Sequence, residues 1–97
     1  MGIDFLDCCF RIEKEFKLSR HDLRLEELDV ARDARGEAVG ITAGDVARWV
    51  EACHRRLGRE TPADLWLRVR ACIAATVMVS ADQVSPTSRL IEDLGFT

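Results

Sequence analysis

The sequence predicts an all-α fold on three observations. Apolar residues recur every three or four positions in three separate stretches. Two of those stretches open on a threonine with an acid three residues later, and one has proline at its first helical position. No stretch reads as a strand. With 97 residues, 47% of them hydrophobic and 32% charged, the chain is expected to form one small domain over 1–97 with its own core.

The first helix is expected over 4–16. Phe5, Cys9, Ile12 and Phe16 share one face, Leu6 and Phe10 form a second apolar pair off that stripe, and Asp4 and Asp7 suit a helix N-terminus. Ser19 and Asp22 have the spacing of a capping box, which predicts a shorter helix over about 22–33 carrying Leu23, Leu25, Leu28 and Val30. Residues 34–41, with two glycines, read as a loop. Thr42 and Asp45 form a second capping box, followed by Val46, Trp49, Val50, Cys53 and Leu57 on a helix over about 43–57 that Gly58 ends. A polar connector over 58–61 leads to Thr61-Pro62-Ala63-Asp64, which predicts a helix over 62–78. Ser85-Pro86 marks a turn, and Leu90, Ile91 and Leu94 suit one last helical turn. Counting the short element, the prediction is a four-helix bundle.

The net charge of −3 argues against a nucleic-acid partner. No run approaches the roughly 18 apolar residues of a membrane span. The acidic opening MGIDFLDC is unlike a secretory leader, so the expected location is cytoplasmic. Cys8, Cys9, Cys53 and Cys72 include no C-x-x-C pair and fall in helical patterns, so they read as small buried hydrophobes and not as a metal site. His21 and His54 lack ligand spacing and read as surface residues. Trp49 and Trp66 read as core anchors.

No catalytic motif stands out, so an enzyme is not expected. Asp4, Asp7, Glu92 and Asp93 are a conceivable carboxylate cluster, outweighed by helix-end acidity. Arg48, Arg55, Arg56, Arg59, Arg68 and Arg70 are interleaved with acids and read as a solvated surface.

Two stretches resemble the acyl carrier protein family. SADQVSPTSRLIEDLGFT is similar to the loop that leads to its phosphopantetheine attachment motif, through Asp82, Val84, Pro86, Ser88, Leu90, Asp93, Leu94 and Gly95. Thr97 falls where the Asp of that motif stands. MGIDFLDCCFRIEKEF is similar to the family's second helix, aligned on Glu13, Glu15 and Phe16; Ile3 then matches the motif Leu and Gly2 the attachment Ser. TAGDVARWVE resembles the family's final helix.

The family's first helix and loop would lie at 62–97 and its second to fourth helices at 1–57. The resemblance therefore implies a circular permutation, in the order II-III-IV-I. The same residues also fit a helix-swapped homodimer or a segment of a longer carrier.

Attachment of 4′-phosphopantetheine requires a hydroxyl, which Gly2 lacks, so no cofactor is expected; Ser80, Ser85 and Ser88 lie off the motif. The family's second helix meets partner enzymes of acyl metabolism, fatty acid or polyketide, through acids and exposed apolar side chains. By position these are Asp4, Leu6, Asp7, Phe10 and Glu13, with Lys14 softening the negative patch; Leu6 and Phe10 would equally suit a core. The implied function is a partner-binding or regulatory protein. A functional carrier unit and a plain helical interaction module are the alternatives.

Overall fold

The computed structural model describes residues 2–97. Three α-helices form among them: α1 (Ile3–Glu15), α2 (Ala43–Arg56) and α3 (Leu65–Val77), with single 3-10 turns at Leu25–Glu27 and Ala81–Gln83. The fold is all-α, but the expected count of four helices is not met.

The missing element is the helix over 22–33. Asp22 does accept the Ser19 N–H at 2.6 Å, as its box predicts. The chain then turns instead of winding on, with the Asp22 N–H donating to the Ser19 carbonyl. Leu23, Leu25, Leu28 and Val30 are separated by two, three and two residues, a spacing that puts no continuous stripe on a helix. As irregular chain the segment still buries Leu28 and half-buries Leu23 and Val30 against the core.

α3 packs against both α1 and α2. Ile12 of α1, Val46 and Val50 of α2, and Val69 and Ile73 of α3 are buried in one core, each contributing about 1.5–3 kcal/mol by leaving water. The α1 stripe is Phe5, Cys8, Ile12 and Phe16, with Cys9 half-buried beside it, one position away from the expected Cys9 face. Phe5 stacks on Trp49 at 5.9 Å between centroids. Trp49 is fully in the core, whereas Trp66 is half-buried at its edge.

Helix ends follow local chemistry. α1 closes with Lys17 at φ 53°, and the Leu18 N–H reaches back to the Glu13 carbonyl at 2.8 Å. α2 begins on the complete Thr42–Asp45 capping box and ends on Gly58 at φ 70° by the same closing pattern, as predicted. α3 starts three residues later than expected: Thr61 does not cap it, and 62–65 form a turn joined by the Leu65 N–H to the Pro62 carbonyl.

The loop after α3 serves α2. The Ala43 and Gly44 N–H groups, orphaned at the start of α2, donate to the Ser88 and Pro86 carbonyls at 2.9 and 2.8 Å. A Cβ on Gly44 would stand 2.8 Å from the Pro86 oxygen, so this close approach requires glycine. Leu90–Leu94 makes the expected last turn, closed by Gly95 at φ 76°, and buries Leu90 and Phe96.

His54 is not on the surface. It is 3% exposed, its Nδ1 lies 2.9 Å from the Val50 carbonyl, and Phe16 meets it edge-on at 5.4 Å. His21 is exposed. The cysteines are free: Cys8, Cys53 and Cys72 are buried and Cys9 half-buried. No group of three or more metal-ligating side chains forms among the described residues, and no helix there is long and apolar enough to cross a membrane.

Candidate functional site

α1 turns two faces outward from its core stripe. Ile3, Leu6, Phe10 and Glu13 step by three, four and three, which places them along one side of the helix. Leu6 is 54% exposed and Phe10 48% exposed, so neither is core. They form one wall of a groove of about 660 Å³. Its opposite wall is the irregular segment that replaced the expected helix, through Arg20, His21, Leu23 and Leu25; Trp49 and Cys9 close its base.

Two contacts hold that opposite wall in place. The Trp49 indole N–H donates to the Arg24 carbonyl at 2.7 Å. The Arg56 Nε donates to both Glu27 carboxylate oxygens at 2.9 Å, while its Nη2 reaches the Asp22 carbonyl.

Of the expected partner residues, Leu6, Phe10 and Glu13 line this groove. Burial pushes the Glu13 carboxyl pKa up, with Arg20 opposing the shift. Asp4 and Asp7 are placed elsewhere. Asp7 pairs with Arg11 at 3.3 Å on exposed helix surface. Asp4 turns to the end of α1, where it meets Thr97. The opposite wall was not foreseen as part of a site; its only trace in the sequence is the basic pair Arg20-His21 followed by leucines two apart.

Beside the groove the two segments quoted for their family resemblance come together. The Thr97 N–H and hydroxyl both donate to Asp4 Oδ2, at 2.9 and 3.1 Å. The Asp4 N–H returns a bond to the Thr97 carbonyl at 2.9 Å. Gly2, the N-cap residue of α1, has no side chain with which to cap the helix. Thr97 takes over that role from 93 positions away, satisfying an orphan N–H at the positive end of the helix.

This geometry does not fit a phosphopantetheine group on position 2. Gly2 offers no hydroxyl, and a Cβ built on it would run into the carbonyl carbon and oxygen of Thr97. The remaining residues that lead up to the seam have structural tasks. Asp93 accepts the Arg89 N–H at 2.8 Å, which holds its carboxyl pKa below the usual range. Leu94 is half-buried, and Gly95 supplies the positive φ that turns the chain toward Thr97.

Asp4, Asp7, Glu92 and Asp93 do not act as one carboxylate cluster: Asp4 binds Thr97, Asp7 pairs with Arg11, and Glu92 and Asp93 pair with Arg89. Comparison with known proteins finds no matching family model, no matching curated protein and no matching solved structure.

Proposed function

We propose that this chain is a carrier-protein-like binding domain that works without a prosthetic group, docking through α1 onto enzymes of acyl metabolism. The observation that carries the reading is the meeting of Thr97 with Gly2 and Asp4. The segment similar to the family's pre-attachment loop and the segment similar to its second helix adjoin in space in the family's own order, although the sequence places them at opposite ends. On this reading α3 stands for the family's first helix, α1 for its second and α2 for its fourth. The irregular segment between α1 and α2 takes the place of the third, and the helix order is a permutation.

Exposure of Leu6 and Phe10 supports a docking role for α1. Large apolar side chains left in water on an amphipathic helix are what a partner's apolar side chain buries after charge has brought the two together. α1 carries four acids against two bases; of its acids Glu13 lines the groove, together with Glu37, Arg20, His21 and Arg32 from the segment opposite. The expected partner surface therefore presents an apolar side chain to Leu6 and Phe10.

Capture of fatty-acid and polyketide synthesis enzymes on immobilised protein tests the proposal. The Leu6→Ser/Phe10→Ser variant should lose the captured enzyme while keeping its helical circular-dichroism spectrum, because neither side chain belongs to the buried core. Equal recovery by the variant would remove α1 from the interface. Recovery of no acyl-metabolism enzyme by either protein would leave the plain interaction module as the better account.

A further inference from the structure

We infer that position 2 is closed by shape as well as by chemistry: Thr97 occupies the space any side chain there would need, and the cap it forms holds the start of α1 shut. The name given to the closed position rests on the carrier-like reading; the closure itself does not. Three hydrogen bonds join Thr97 to Asp4. They bring the Thr97 carbonyl so near that even a methyl group on residue 2 would meet its carbon and oxygen. The obstacle is backbone, so no change of rotamer relieves it. Gly2 has an extended backbone with φ −85°, which any residue adopts, so its lack of a side chain answers to this neighbour and not to its own conformation.

A consequence separates this from simple loss of the attachment serine. Restoring the hydroxyl alone does not restore modification, because the new side chain either opens the seam or is forced out of place. The docking face would then be fixed in a form that carries no cargo and only occupies a partner.

The test begins with Gly2→Ala, made in the full chain and in a chain ending at Phe96. In the full chain the added methyl should lower Tm by about 4–8 °C or more, the effect of forcing one group into a packed site in a domain of this size. In the shortened chain the same substitution should cost less than a third as much. Should α1 fray to relieve the clash, Tm moves little, but the Asp4 amide, bonded to Thr97, loses its protection from hydrogen exchange. Unchanged Tm together with unchanged Asp4 protection overturns the closure.

Gly2→Ser in the full chain is then incubated with coenzyme A and a phosphopantetheinyl transferase, alongside the original protein. In a productive reaction the serine oxygen would bond to phosphorus, losing its proton, as adenosine 3′,5′-bisphosphate leaves. Neither protein should gain the mass of one phosphopantetheine. A gain at position 2 of the variant overturns the closure while supporting the carrier-like reading. Unchanged Tm and unchanged Asp4 protection in the full-length Gly2→Ala chain overturn the closure whatever becomes of that reading.

Discussion

Glu27→Gln tests the contact that holds the irregular wall of the groove to α2. Arg56 and Glu27 are separated by 29 positions and joined by two bonds of 2.9 Å from one nitrogen. Their side chains are 23% and 27% exposed, so the pair is mostly shielded from water. Fully exposed pairs contribute about 0.2–1 kcal/mol, and hydrogen bonds to charged groups about 1.5–3 kcal/mol. A pair about three-quarters removed from solvent falls between these ranges. Glutamine keeps one acceptor and loses the charge, so the substitution should cost about 1–2 kcal/mol, or about 5–10 °C in Tm for a domain this small. Urea unfolding followed by circular dichroism measures the cost, and a double-mutant cycle with Arg56→Gln isolates the pair, with an expected coupling near 1 kcal/mol. Coupling below about 0.3 kcal/mol, or a cost abolished by high salt, would show an ordinary surface pair and leave the wall without its anchor.

Three further outcomes follow from the packing. Leu28→Ala should destabilise by about 2–4 kcal/mol in urea unfolding, since this side chain is 2% exposed although it belongs to no α-helix; a cost under about 0.5 kcal/mol would mean the segment does not pack on the core. Gly44→Ala should cost about 1–3 kcal/mol by pushing the Pro86 loop off α2, and Tm equal to the parent's would refute the close approach. Burial pushes the Cys8 and Cys9 thiols up to about 12 and Cys72 to about 11 from an ordinary 9.0. The folded protein thus holds these protons more tightly, so the stability they contribute is complete below pH 9.0 and is lost as pH rises from there toward 12. Urea midpoints at about pH 8 and about pH 10.5 should differ, the second being lower, and equal midpoints would contradict the burial.

The parts of the fold that were legible in the sequence are those decided within a few residues. Thr42 and Asp45 cap α2 reciprocally, and Gly58 ends it, because both devices act over one turn. The α1 stripe was legible except at the adjacent cysteines. Cys8 and Cys9 are chemically identical, so steps of four-three-four and three-four-four describe the sequence equally well, and packing against α3 selects Cys8. The helix expected over 22–33 does not form because Ser19 and Asp22 close a local turn with no helical stripe behind it.

The site was less legible for the same reason. Whether Leu6 and Phe10 face the core or solvent depends on which α1 face α3 covers, a contact made about sixty residues away in the chain. Leu25 and Arg20 face them only because Trp49 and Arg56 tie their segment down.

The arginines explain how a chain with one helix too few still closes. A helix satisfies its own carbonyls, whereas the long connection from α1 to α2 draws on side-chain donors as well. Guanidinium groups supply several of them. Arg32 donates to the carbonyls of Leu25, Leu28 and Gly36, Arg56 to that of Asp22, and Arg59 to those of Phe16 and Lys17. Arg68 binds the Glu15 carbonyl and carboxylate while lying over Phe16 at 4.5 Å. Arg56, Arg59 and Arg68, expected as part of a solvated surface, are with Arg32 the fasteners of the irregular half. Lysine carries the same charge but presents it as one compact ammonium, whereas Arg32 reaches Gly36 through one guanidinium nitrogen and Leu25 and Leu28 through another. If charge alone mattered, lysine at Arg32 would preserve the 25–36 turn; if the fork matters, that variant loses its protection from hydrogen exchange there while α2 and α3 keep theirs. The second outcome is the one the geometry requires, because each of the three Arg32 acceptors sits on a different part of the loop and no single ammonium reaches them together.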